Sequence, residues 1–244
     1  MKEKLKQYAL NEIKEFRSGL TIAEYILWWI MRLCMIGMII YNKQQNREAM
    51  VLLMMRANLI MMFMIPMMRI VFFKKIFFGK LPYRIQTFID IFVFAGSFLG
   101  HGLDFNGTVE NYDKFMHMVS GGLVVFIGYL VLTCIKTGNE LSPALKTFGA
   151  GGFSCLVMIV WEIFEFICDF IIDKSCNQNF HFVPEDDYFF FKIFGQGAGK
   201  TGQYPLLDTN IDLFLASVGC IGCMAILYTY LKLRDRCKLK KVKN

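Results

Sequence analysis

Residues 111–135 read NYDKFMHMVSGGLVVFIGYLVLTCI. Past His117 this stretch holds no acidic or basic side chain. The apolar block from Phe115 to Ile135 meets the length rule for crossing a membrane: at about 1.5 Å per residue, roughly 20 residues cross a hydrocarbon core of about 30 Å. Similar blocks recur along the chain. They predict six spans near residues 22–41, 49–66, 86–103, 115–135, 147–172 and 211–231. The expected fold is therefore all-α, a polytopic transmembrane helical bundle. Pro66 and Arg69 limit the second span.

Composition agrees. Of the 244 residues, 55% are hydrophobic, against the roughly 45–50% of a soluble domain. Phe (25) and Met (16) suit lipid-facing and closely packed helices. The net charge of +7 does not indicate nucleic acid, because the basic residues fall in short segments beside apolar spans rather than on one soluble face. Nineteen Lys and Arg lie in residues 1–21, 67–85, 136–146 and the stretch from Lys232, and six in the alternate loops. The excess of Lys and Arg on the cytoplasmic side of membrane proteins then puts both termini in the cytoplasm.

The expected organisation is a basic amphipathic segment over 1–21, a membrane domain over 22–231 and a basic cytoplasmic tail over 232–244. In the first segment Leu5, Leu10, Ile13 and Phe16 form an apolar stripe among lysines, a pattern that lies along an anionic membrane surface. The aromatic-rich loop 173–210 is long for a connector and is expected to fold back as an outer cap. Gly195 to Thr201 resembles a phosphate loop but lacks the first glycine of that spacing, where Phe194 stands. The cysteines form no extracellular framework or zinc pattern, and Cys220 and Cys223 read as small residues at a helix contact.

The informative residues are acids placed where lipid should be. A carboxylate inside a membrane is costly and marks a functional site by default. Asp113 and His117 stand four apart and share a helix face. Glu162 and Glu165, with Asp169 beyond, share another. Asp208 and Asp212 open the sixth span at the same spacing. The predicted orientation puts all of them, together with His101, near the outer side; Asp90 alone lies in the inner half.

Gathered carboxylates repel one another and coexist only with a cation, bound protons or basic partners. Three solutions stand open. Asp113, His117, Glu162, Glu165, Asp208 and Asp212 hold a divalent metal. The acids share protons and perform acid–base work, with Asp113, His117, Glu162, Glu165 and Asp212 catalytic. Or Arg32 and Arg56, both inside apolar spans, neutralise them in a structural network.

Three motifs carry a resemblance: Tyr112-Asp113-Lys114 with His117 and Gly121; Trp161-Glu162-Ile163-Phe164-Glu165-Phe166 with Asp169 and Asn177-Gln178; and Asp208-Thr209 with Asp212 and Gly219. On these the chain resembles the YjdF-like family of uncharacterised bacterial inner-membrane proteins over roughly residues 95–225. More distantly it is similar to VanZ-like proteins. The resemblance implies the site and brings no reaction with it. The functional expectation is an enzyme at the outer leaflet acting on a lipid or lipid-linked envelope substrate. The alternatives are a cation or proton transporter and a non-catalytic envelope or immunity factor.

Overall fold

The computed structural model describes residues 2–73, 77–135, 140–172 and 204–243. The chain is an all-α helical bundle. Among the described residues, five helices are long and apolar enough to cross a membrane, or six when one bent pair counts as a single span. Most of the expected cap, residues 173–203, lies outside the described residues, and with it Cys176, Asn177, Gln178 and the Gly195–Thr201 stretch. The chain forms two compact units, Met1–Phe105 and Asn106–Asn244.

The first unit opens with α1 (Lys2–Gly19). Then α2 (Ile22–Gln44) starts at a capping box: the Glu24 amide donates to Thr21 Oγ1 and the Thr21 amide donates to the Glu24 carboxylate. This satisfies amides that the first turn otherwise leaves open. Along α2, Ile22, Ile26, Ile30, Leu33 and Ile40 are exposed while Trp28, Arg32, Met35 and Asn42 are buried. Apolar side chains outside and polar ones inside is the pattern of a helix solvated by lipid.

The second span is α3 (Ala49–Met61) followed by α4 (Met64–Phe72), bent by 55°. The sequence explains the break. Pro66 has no N–H to donate to the carbonyl of Met62 four residues back. The Arg32 guanidinium donates to that carbonyl instead. One residue earlier, the side-chain amide of Gln86 inserts into the ladder. Its Oε1 accepts from Ile65 N at 2.8 Å and its Nε2 donates to Met61 O at 3.1 Å. Inside a bilayer such freed backbone groups need protein partners, because no water replaces them. Gln86 belongs to α5 (Arg84–Val93), which continues as a π-helix through Phe94–Gly102 to complete the third span.

The short α6 (Phe105–Thr108) follows. The second unit consists chiefly of α7 (Tyr112–Cys134), α8 (Pro143–Ile172) and α9 (Tyr204–Lys243). The expected sixth span and basic tail form one continuous helix. Glycines let these helices approach closely. A Cβ on Gly121 would meet the Ala216 backbone, one on Gly219 the Met118 backbone, and one on Gly128 the Ala150 carbonyl. Close backbone approach of this kind replaces the hydrophobic effect as the packing force between helices in lipid. Ser154 Oγ adds a bond to Gly121 O at 2.7 Å. Val125, Ala150, Cys220, Leu227 and Leu231 form the core below.

Candidate metal site at one end of the second unit

Gly121 stands one turn after His117, and Ala216 one turn after Asp212. The contact that seats α7 against α9 therefore also brings their polar first turns together. His117 lies five residues after the start of α7, Asp212 eight after the start of α9, and Glu162 ten before the end of α8. The acids and histidine expected on these three helices therefore meet toward the same end of the unit.

Lys114 is the centre of the arrangement. Its ammonium is 2.8 Å from Asp212 Oδ1 and 2.9 Å from Oδ2, and 3.2 Å from Asp113 Oδ2. It also donates to Asp208 Oδ1. Lys114, Asp208 and Asp212 are all buried. In the sequence Lys114 is one of the six Lys and Arg of the alternate loops. The signal that marks it as a site residue is its place between Asp113 and His117 at the mouth of an apolar span, where a carboxylate partner is required.

His117 joins the second half of the cluster. Its Nε2 lies 3.6 Å from Asp113 Oδ1 and 3.9 Å from Asp212 Oδ2. Its Nδ1 lies 3.6 Å from Glu162 Oε1. Two sets of possible ligand atoms result, each within 4.8 Å of one another: Asp113, His117 and Asp212, and His117, Glu162 and Glu165. Exposure grades across the site. The Asp113 side chain is 43% exposed, while Glu162 is at 8% and Asp212 at 2%. Glu162 Oε2 is buried with no hydrogen-bond partner among the described residues, an acceptor in place for a proton or cation.

The structure thus brings together all six expected residues, through either Lys114 or His117. It corrects the arginine partners. Arg32 pairs with Asp90 at 2.9 Å within the first unit, where Gln86 also donates to Asp90 at 2.6 Å. Arg56 is exposed and is no buried counter-ion. His101, expected near these acids, stands on the π-helical turn Phe94–Gly102 of the first unit. The side chain of Asp169 is outside the described residues.

The model of the family described as "Predicted membrane protein (DUF2238)" matches residues 26–233, most of the chain and every residue of the cluster. The chain belongs to this family. A protein of Thermotoga maritima, described as uncharacterised, is 27% identical over 158 residues, covering 64% of this chain and 68% of that protein. No solved structure matches. The membrane assignment and the YjdF-like resemblance both accord with the family found.

Proposed function

We propose that this protein is a metal-dependent enzyme of the bacterial inner membrane, acting at the outer leaflet on a lipid or lipid-linked envelope substrate by hydrolysis or group transfer. The observation that carries this reading is the convergence of Asp113, His117 and Asp212 from two helices, within 4.8 Å of one another and at one end of the spans. The charge balance supports it. Among the described residues, Asp113, Glu162, Glu165, Asp208 and Asp212 bring five carboxyl groups against the Lys114 ammonium, an excess of acid that favours a cation.

The geometry divides the roles. His117 Nε2 faces the two aspartates and suits a ligand position. Nδ1 faces Glu162 at 3.6 Å, a carboxylate placed to orient the ring as the partner of a ligating histidine usually does. Lys114 holds Asp208 and Asp212 in register. A divalent ion among these ligands would supply Lewis-acid chemistry for attack on an ester or phosphoryl group. Exposed apolar residues flank the polar ones at the same level: Phe115 and Phe214 near Asp113 and Asp212, Ile163 and Phe166 beside Glu162 and Glu165. In a bilayer these positions contact acyl chains, which favours a substrate arriving sideways from the leaflet.

The transporter reading requires polar groups through the whole thickness. The core of the second unit below the site is instead Val125, Ala150, Cys220, Leu227 and Leu231. The test is to purify the protein, load it with divalent ions and measure bound metal, then follow turnover of envelope lipids. Near one ion per chain is expected, lost in His117→Ala. A folded protein that binds no metal and turns over no lipid refutes the enzyme. Ion flux in proteoliposomes abolished by Asp113→Asn would favour the transporter.

A further inference from the structure

The amphipathic helix α1 is turned opposite to the usual arrangement. Two of its acids, Glu12 and Glu15, turn to the protein, while Glu3 in the first turn is exposed. Glu12 is buried and takes bonds from Arg69 Nε at 2.8 Å, Arg69 Nη2 at 3.1 Å and Tyr83 Oη at 2.8 Å. Glu15 pairs with the same guanidinium, and Tyr8 donates its hydroxyl to Arg69 O. Phe16 sits on the same side, edge-on to Tyr83 at 5.1 Å and packed on Trp28 at 5.9 Å. The opposite side carries Leu10 and Ile13, each about half exposed, together with exposed Lys6, Lys14 and Arg17. Positions 6, 10, 13 and 17 follow one helical stripe, basic at both ends and apolar in the middle.

The partners of α1 locate it. Trp28 lies near the start of the first span, Arg69 near the end of the second, and Tyr83 just before the third. With the bent pair counted as one span, successive spans alternate direction and these three ends lie on the same side of the bilayer, as their shared contact with α1 requires. A helix touching all three lies across the end of the first unit, in the plane of the membrane interface. Its outward stripe therefore continues the lipid-facing surface of α2.

We propose that the outward face of α1 binds anionic phospholipid: Leu10 and Ile13 enter the acyl boundary while Lys6, Lys14 and Arg17 meet headgroup phosphates. A zwitterionic leaflet satisfies the apolar pair but not the cations. The pairing of two α1 carboxylates with Arg69 makes this possible. Buried Glu12 and half-exposed Glu15 are spent on that guanidinium, so exposed Glu3 offsets only part of the charge of Lys6, Lys14 and Arg17. The reading is independent of the metal site, which belongs to the second unit.

The test uses the full chain in nanodiscs, with hydrogen exchange followed over residues 2–19. Discs of pure phosphatidylcholine are compared with discs holding one third phosphatidylglycerol. Exchange is expected to slow at least about fivefold in the anionic discs, the factor that a single Lys or Arg near such a surface supplies. The difference is expected to shrink in high salt, which screens headgroup attraction. It is expected to vanish in the triple variant Lys6→Glu, Lys14→Glu, Arg17→Glu. Equal exchange of the unaltered protein in both discs overturns the proposal, whatever the variant does. So does a difference that persists unchanged in high salt.

Discussion

Replacing Gly121 with alanine places a Cβ 2.7 Å from the carbonyl carbon of Ala216 and 2.9 Å from its Cα, and closer still to the oxygen. Non-bonded carbons settle at about 3.5–4.0 Å, so α7 and α9 must part by roughly 1 Å at this level. The obstacle is backbone, which has no rotamer to change. Two turns back along α7 and one back along α9, the Lys114 contacts to Asp212 at 2.8 and 2.9 Å would open to about 4 Å, beyond hydrogen-bonding range. Overpacking of this kind costs about 1–3 kcal/mol. An uncompensated buried charge raises that toward about 3–5 kcal/mol. Gly121→Ala is therefore expected to melt well below the unaltered protein in detergent and to bind metal weakly. The control is Gly222→Ala on α9, where an added Cβ meets nothing within 4 Å. There the better helix propensity of alanine, about 1 kcal/mol at most, is expected to leave stability level or slightly raised. Equal melting temperatures and equal metal affinities for the two variants would refute the argument that this contact sets the site.

Lys114→Met leaves Asp208 and Asp212 without their ammonium and is expected to cost about 3–5 kcal/mol, read as a lowered melting temperature that added divalent ion partly restores. Glu162→Gln is expected to keep the bundle folded and to weaken metal binding about 10–100-fold by titration, because it acts through the His117 ring. Gln86→Leu strands the Ile65 amide and the Met61 carbonyl at the break of the second span, at about 1–3 kcal/mol for each group, measurable as lost thermal stability. Tyr83, outside the spans, has its phenol pushed up to about 12 by burial first and by its bond to Glu12. Since the unfolded phenol ionises near 10, stability is expected to fall as pH rises from about 10 to about 12, and Tyr83→Phe to flatten that slope in alkaline melts.

Much of this architecture was legible because lipid imposes a simple rule on composition. The spans at 22–41 and 115–135 announce themselves by length. The acids of the site announce themselves by standing where hydrocarbon should be, and their four-residue spacing places Asp113 with His117 and Asp208 with Asp212. What sequence could not supply was pairing between helices. Arg32 reads as a partner for any acid, and only the fold gives it to Asp90. Lys114 looks like an ordinary charge at the mouth of a span until Asp208 and Asp212, nearly a hundred residues away, close on it. Pro66 signalled a limit to the second span, but the replacement of its missing bond by Gln86 and Arg32 depends on neighbours that no local pattern names. Phe16 was expected on one stripe with Leu10 and Ile13; it turned inward because Tyr83 and Trp28 offered it aromatic edges.

Lys114 has a consequence for the order of events in the life of the molecule. Small zinc domains stay unfolded until their ion arrives, because nothing else neutralises the ligands. Here a covalently tethered cation already sits between Asp208 and Asp212. Under the proposed metal-dependent function the bundle can insert and close first and acquire an ion afterwards, so a chelator is expected to strip the site while leaving the helices assembled.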